Sequence, residues 1–87
     1  MKVRTKIKCM TPLTRVNFRT HKLETVAIGI AEDVNENIMF YSEVVEKALA
    51  CMVSGTTVEL TLEADYKKNM KTLEEELVYE CHKMKVV

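Results

Sequence analysis

Charged and apolar side chains alternate along the first nine residues, MKVRTKIKC. Successive side chains of a β-strand point to opposite faces, so this alternation predicts a strand with its charges on one face. The charged positions are Lys2, Arg4, Lys6 and Lys8. Pro12 interrupts the pattern and predicts a turn or bulge, because proline fixes its own φ and donates no ladder hydrogen bond. Alternation resumes at Val16 and Phe18, which fits either a hairpin arm or the continuation of one long bent strand.

The segment ETVAIGIA predicts the next strand, because β-branched residues alternate there with small ones. The inward face would carry Val26, Ile28 and Ile30, and the outward face Thr25, Ala27, Gly29 and Ala31. The polar stretch EDVNEN predicts a hairpin loop, followed by a strand with Ile38 and Phe40 inward and Met39 and Tyr41 outward. A helix beginning near Asp33 is the alternative, since apolar residues after it also keep helical spacing.

The segment SEVVEKALACMVSG predicts a helix with both ends marked. Ser42 is a good N-cap, and Gly55 follows the last apolar position, as expected of a helix C-terminus. The buried stripe of this helix would be Val45, Ala48, Leu49 and Met52. The next segment, TTVELTLEA, alternates again and predicts a strand with Val58, Leu60 and Leu62 on one face.

Residues 66–87 leave two interpretations open. Apolar residues recur every three or four positions, as in an amphipathic helix. These residues are Tyr66, Met70, Leu73, Leu77, Cys81 and Met84. The segment LVYECHKMKVV also fits a closing strand after a charged loop. We favour the strand, because the earlier strands leave an open antiparallel sheet that a last strand would close.

The predicted order of elements is β-β-β-α-β-β within a single domain of residues 1–87. This order resembles that of an OB-type barrel, in which a helix lies between the third and fourth strands. The expected fold class is therefore mostly β with one helix (α+β), as a small OB-like antiparallel barrel. The alternative is an antiparallel sheet packed against two helices, over residues 35–53 and 66–85.

Composition and cysteine spacing point to a cytoplasmic protein. Hydrophobic residues make up 47% of the chain and charged residues 30%, as in ordinary globular proteins. The longest apolar run, residues 48–53, is too short for a membrane span, and the N-terminus lacks the apolar stretch of a signal peptide. Cys9, Cys51 and Cys81 are odd in number and widely spaced, which favours buried free thiols in a reducing compartment.

The formal net charge of zero results from strongly segregated charges. Residues 1–23 carry seven Lys or Arg and no carboxylate, whereas residues 24–66 carry nine carboxylates and one lysine. Residues 67–87 carry five lysines and four glutamates. Such segregation predicts either a polar electrostatic surface or two charged faces that neutralise each other in the fold.

The basic N-terminal surface leads to a functional hypothesis, namely binding of single-stranded DNA or RNA. Cations projecting together from neighbouring strands would contact phosphates, and an outward aromatic ring would stack on bases. The candidate residues are Lys2, Arg4, Lys6, Lys8, Arg15, Arg19 and Tyr41. Met39, Tyr66 and Tyr79 are further candidates for the apolar contact.

A structural role for the same residues is the alternative. In an OB-like barrel the first strand would lie beside the fourth, so Glu59 and Glu63 would neutralise the basic row. The protein would then be an interaction or regulatory module that binds a protein partner, or forms a homodimer through its opposite charges and the methionine-rich C-terminal seam.

Catalysis is not expected from this sequence. His21 and His82 titrate near neutrality in isolation, but neither has a nucleophile beside it in sequence. The cysteines and histidines lack the spacing of a zinc site, and the acidic clusters lack the graded spacing of a calcium loop. We therefore expect a binding module with no cofactor and no metal.

Overall fold

In the computed structural model, residues 1–68 and 71–87 are described, and they form six strands and one helix. The elements are β1 (Lys2–Thr5), β2 (Ile7–Asn17), β3 (Lys22–Ala31), β4 (Val34–Phe40), α1 (Val45–Ser54), β5 (Val58–Lys68) and β6 (Glu75–Val86). Among these residues, no helix has the length and apolar character that crossing a membrane requires.

The strands form one mixed sheet in the order β1-β5-β6-β4-β3-β2. β4 and β6 run parallel, and all other neighbours are antiparallel. β1 and β2 lie at opposite ends of this order although only Lys6 separates them in the chain, so the sheet curls to bring its ends together. The mostly β, α+β class is confirmed, and the sheet is not closed into a barrel.

The N-terminal segment is interrupted at Lys6, between β1 and β2, and not at Pro12. The β2–β3 register shifts between Ile7 and Cys9, so Lys8 is the extra residue of a bulge. Pro12 continues β2 opposite Ala27. Within the described residues β2 pairs with β3 alone, and an edge strand tolerates a residue that lacks an N–H. The predicted interruption at Pro12 is therefore wrong in position.

The face of β3 that packs into the core is the opposite of the predicted one. Ala27, Gly29 and Ala31 are buried, whereas Ile28 and Ile30 are 38% and 41% exposed. The inner face of β3 carries small residues because there is little space beside it. A Cβ atom added at Gly29 would lie 2.7 Å from the Cys9 carbonyl oxygen and 2.9 Å from the Phe40 ring.

The core is otherwise built as the alternation predicts. Ile38 and Phe40 of β4 pack with three residues of β5 and with α1. The β5 residues are Val58, Leu60 and Leu62. We call this packed side of the sheet the inner face, and the opposite side the outer face.

The ends of α1 differ in how well the sequence marks them. Gly55 is left-handed with φ of 68° and ends the helix as predicted. At the other end, Val44 is the N-cap and makes no side-chain capping bond, while the Ser42 hydroxyl donates to the Glu43 carboxylate instead. The prediction of Ser42 as N-cap is therefore wrong.

The C-terminal segment is a strand, as favoured. β6 pairs with β5 over its whole length and with β4 over residues 78–81, which rules out the alternative of a helix over 66–85. Residues 34–40 are likewise a strand, so the hairpin loop is confined to Glu32 and Asp33. Met70, one position of the alternative helical seam, lies outside the described residues.

Candidate functional site

The basic residues predicted to bind nucleic acid lie in several separate parts of the structure. Lys2 and Arg4 lie on β1, Lys6 is in the corner between β1 and β2, and Lys8 is in the bulge. Arg15 lies near the far end of β2, Arg19 in the β2–β3 turn, and Tyr41 directly after β4. The last three come together at one groove, whereas Lys2 lines a separate shallow depression and Arg4 lies beside it, opposite Glu59.

The groove has a volume of about 780 Å³ and lies beside the β2–β3 turn. Residues of β2, β3 and β6, of the turn, and of the segment after β4 line it. The six that matter most here are Arg15, Phe18, Arg19, Tyr41, Glu80 and His82. They come from three separate parts of the sequence, residues 15–19, 41 and 80–82, so the groove exists only once the sheet has formed.

Buried apolar side chains on the outer face support the groove. Val26 is fully buried and Met39 is 9% exposed, yet each is the chain neighbour of an inner-face residue and so points the other way. Arg15 is two residues beyond the partner of Val26, and Tyr41 is two residues beyond Met39. Arg15 and Tyr41 therefore lie on the same face as these buried apolar residues, one alternate position further along their strands.

Arg15 is held in a fixed orientation by its cross-strand neighbour. Its Nε donates to Glu24 Oε1 at 2.9 Å, and Asn17 Nδ2 donates to Glu24 Oε2 at 3.2 Å. The hydrogen bond to Glu24 raises the pKa of Arg15 further above its usual value. The guanidinium carbon lies 5.0 Å from the centre of the Tyr41 ring, within cation–π range.

Tyr41 and His82 are stacked, with ring centres 4.0 Å apart and an interplanar angle of 17°. His82 reaches this position because it is an extra residue in β6, where Thr61 and Leu62 pair with Lys83 and Cys81. A bulge of this kind re-aims a side chain, here towards the end of β4. Burial, followed by the interaction with Glu80, raises the pKa of Tyr41.

Both ring nitrogens of His82 face carboxylates. Nδ1 lies 2.7 Å from Glu43 Oε2, and Nε2 lies 3.4 Å from Glu80 Oε2. Burial alone would lower the pKa of His82, but the two carboxylates outweigh it and raise the pKa. The hydrogen bond from His82 lowers the pKa of Glu43. Two carboxylate acceptors need two N–H donors, so the arrangement favours the imidazolium form.

These two shifts predict a pH-dependent coupling between His82 and Glu43. A raised histidine pKa stabilises the fold fully below the unfolded pKa of about 6.5, and this contribution is lost as pH rises through the folded pKa. The lowered Glu43 pKa stabilises the fold above about 4.3 and is lost at lower pH. In a double-mutant cycle of His82→Gln and Glu43→Gln by urea unfolding, we expect a favourable coupling at pH 5.5 that is smaller at pH 8.5. Equal coupling at both pH values would contradict the assignment.

The β2–β3 turn presents Phe18 to solvent. Asn17 Oδ1 accepts hydrogen bonds from the backbone N–H groups of Arg19 and Thr20 at 2.9 and 3.4 Å. His21 closes the turn with φ of 56°, and its N–H bonds the Asn17 carbonyl oxygen at 2.8 Å. Phe18, predicted to continue the alternation of a strand, lies just beyond β2 and is 86% exposed beside Arg19.

The predicted neutralisation of the basic row is found for one of two carboxylates. Glu59 faces Arg4 across the β1–β5 ladder, and its oxygens lie 3.8 Å from Arg4 Nε and 3.6 Å from Lys85 Nζ. Glu63 instead lies opposite Glu80 of β6 in the strand register, so it faces another carboxylate and no cation of β1. The acidic segment therefore neutralises the β1 end of the basic row only in part.

The groove combines cationic, aromatic and acidic side chains. Both nitrogens of His82 are engaged by carboxylates, and the planar groups of Arg15, Tyr41 and His82 are layered against one another. Flat cationic and aromatic groups of this kind interact with π-faces and anions. The Cys81 thiol lies on the inner face, and burial raises its pKa to about 11.

Sequence reasoning missed four groove residues, namely Phe18, Glu43, Glu80 and His82. His82 could not be assigned to the groove, because no local pattern shows that Glu43, 39 positions earlier, lies against it. The exposure of Phe18 had one sequence signal: it is followed by the polar residues RTHK, a composition more typical of a turn than of a buried strand.

Comparison with protein-family models, curated proteins and solved structures found no match to this chain.

Proposed function

We propose that this protein is a small non-enzymatic module that binds single-stranded DNA or RNA along its outer face. The observation that carries the proposal is the exposed Phe18 and Arg19 at the edge of a groove in which Arg15, Tyr41 and His82 are layered. Proteins that bind single strands without base pairing combine cations for the backbone with aromatic rings on which bases stack.

The groove residues divide between two roles. Tyr41 is already contacted by His82 and by Arg15, so we assign it a positioning role. Phe18 has an accessible ring and is the residue on which a base would stack. Arg19 and Arg15 would contact phosphates or stack on an adjacent base.

The strand order supports the same function. If β1 and β2 are counted as two halves of one bent strand, the sheet has the order of an OB-type fold, with α1 between the third and fourth strands. OB folds bind oligonucleotides on the face of their second and third strands, beside the loop that joins the first two. The groove occupies the corresponding region of this chain, next to the β2–β3 turn.

A cytoplasmic location fits this function. Cys51 and Cys81 are buried free thiols, and Cys9 is an exposed free thiol. Free thiols persist in reducing compartments. Single-stranded nucleic acid as a ligand is likewise available in the cytoplasm.

Fluorescence anisotropy with labelled 12-nucleotide DNA and RNA tests the function directly. We expect binding at 50 mM salt that weakens as salt is raised, because bound phosphates release counterions. The variant Arg15→Glu with Arg19→Glu should abolish detectable binding, and Lys47→Glu on the exposed side of α1 should not. Far-UV circular dichroism checks that both remain folded. Absence of binding by the unmodified protein at low salt would refute the proposal.

The variant Phe18→Ala tests the stacking role. Loss of one base–aromatic stack is expected to weaken binding by about 5- to 150-fold, equivalent to about 1–3 kcal/mol, with the salt dependence unchanged. Leu23→Ala is the matched control, because Leu23 is an exposed apolar residue of the same hairpin that does not line the groove. Equal losses for the two variants would contradict a specific role for Phe18.

A protein partner is the second candidate, and exposed apolar side chains favour it. Val16 and Leu23 face each other across β2 and β3 and are both exposed, and Tyr66 and Leu73 are exposed near the far end of the β5–β6 hairpin. Such residues could pack against another protein or a second copy of this chain. Light scattering that shows a monomer at all concentrations, together with a pull-down that recovers no protein, would exclude this candidate.

A further inference from the structure

A second cationic surface lies on the outer face of β1, β5 and β6. The strand registers align two rows across it, Lys2–Thr61–Lys83 and Arg4–Glu59–Lys85. Neighbouring strands are about 4.8 Å apart and alternate residues about 7 Å apart, so the four cations rise from the corners of a rectangle of roughly 7 by 10 Å. We call these four residues, with Thr61 and Glu59 between them, the basic patch.

The two rows differ in charge balance. In the first row a neutral threonine separates the lysines, and within the described part of the chain neither Lys2 nor Lys83 is in an ion pair. In the second row the Glu59 carboxylate lies within 4 Å of both Arg4 and Lys85. The Glu59 side chain is only 14% exposed, whereas the cations on either side of it are mostly exposed.

The basic patch is continuous with the groove through β6. His82 lines the groove and Lys83, the next residue, lines the shallow depression over the patch. The bulge that turns His82 outward thus places two consecutive side chains of β6 at the junction of the two surfaces. A single-stranded nucleic acid that leaves the groove over His82 would reach Lys83 first and then the other cations of the patch.

We infer that the basic patch is a second phosphate-binding site for the same nucleic-acid strand, and that Glu59 occupies it in the free protein as an internal competitor of phosphate. This inference rests on the proposed function and extends its footprint. Lys2 and Lys83 contact one phosphate through unpaired ammonium groups. Arg4 and Lys85 contact the next phosphate at the expense of their ion pairs with Glu59.

Oligonucleotide length separates the patch from the groove. A 4-nucleotide strand fits the groove alone, whereas a 12-nucleotide strand reaches both surfaces, in line with sites of about 4–16 nucleotides on single OB folds. Lys2→Ala with Lys83→Ala should weaken 12-mer binding about fivefold to tenfold at 50 mM salt and lower the salt slope by about 0.7, because these two lysines together neutralise one phosphate. Binding of the 4-mer should not change.

Glu59→Gln tests the competitor role in the opposite direction. Removing one negative charge about 4 Å from the cations should strengthen 12-mer binding about fivefold and leave 4-mer binding unchanged. Glu63→Gln is the matched control, because Glu63 is on the same strand but pairs with Glu80 of β6. Unchanged or weaker 12-mer binding in Glu59→Gln would overturn the role of Glu59.

A titration with inorganic tripolyphosphate, followed by backbone amide chemical shifts, probes the basic patch without nucleic acid. We expect shifts at Thr61 and Lys83 that are lost in Lys2→Ala with Lys83→Ala. If the 12-mer binds but this double variant has no effect on it, the second site is wrong and the proposed function stands. If no oligonucleotide binds while tripolyphosphate still shifts these amides, the patch is an anion site and the proposed function is wrong.

Discussion

Phe40→Ala is expected to lower the free energy of unfolding by about 3–5 kcal/mol. Phe40 is among the largest fully buried side chains and lies at the centre of the sheet, paired with Ala27 on β3 and with Cys81 on β6. Its ring also covers Gly29. Truncation removes the transfer free energy of the ring and leaves a cavity that the surrounding strands fill only in part.

Phe18→Ala is the matched control for this prediction, because the chain contains only two phenylalanines and they occupy opposite environments. The exposed Phe18 should change stability by less than about 0.5 kcal/mol. Urea unfolding followed by circular dichroism gives both values. A loss below 1.5 kcal/mol for Phe40→Ala would mean that the core is not organised around this ring.

Most of the elements could be predicted because they are encoded locally. Alternation over Val58, Leu60 and Leu62 identifies both a strand and its buried face, since an outward-facing alternative would expose three large apolar side chains. Gly55 marks the end of α1, because the left-handed conformation found there favours glycine. The choice of strand for the C-terminal segment depended on a non-local argument, the need to complete the sheet.

The face of β3 could not be predicted, because both of its faces contain buried positions. Ala27 is buried against Phe40 on the inner face, and Val26 is buried on the outer face below the groove residues. Alternation assumes one buried and one solvated face, and that assumption fails where a second apolar layer supports a site. The large residues Ile28 and Ile30 therefore misled the assignment.

The residues of the groove could be predicted from the sequence only in part, for a similar reason. Arg15, Arg19 and Tyr41 could be named from the sequence because charge and aromatic character are local properties. Their arrangement depends on a one-residue bulge in β6 that rotates His82 towards Tyr41, and neither the bulge nor the parallel β4–β6 pairing has a local signature.

The structure agrees in part with each of the two interpretations of the segregated charges. Glu59 meets Arg4 as the structural alternative requires, whereas Lys2 and Lys83 flank a neutral threonine as the binding hypothesis requires. Exposed ion pairs contribute little stability, typically below about 1 kcal/mol. Partial neutralisation by Glu59 thus limits the repulsion between cations without strongly stabilising the fold.

Gly29→Ala is expected to lower the free energy of unfolding by about 1–3 kcal/mol, because the added methyl group overpacks the core. It would meet a backbone oxygen at 2.7 Å and the Phe40 ring at 2.9 Å, and the oxygen belongs to a paired strand that resists displacement. Alanine restricts the unfolded chain more than glycine does, which offsets only about 0.4–1 kcal/mol of this loss.

Gly55→Ala separates steric from conformational effects. Nothing lies within 4 Å of a Cβ atom there, but φ is +68°, so we expect a loss of about 1 kcal/mol from backbone strain alone. In the Phe40→Leu background, Gly29→Ala should cost less than in the unmodified protein, with a coupling of about 0.5–3 kcal/mol, because the shorter side chain vacates part of the space that the methyl group needs. Gly55→Ala should show no such coupling. Urea unfolding of the single and double variants measures both couplings, and additive values for Gly29 and Phe40 would contradict the contact between them.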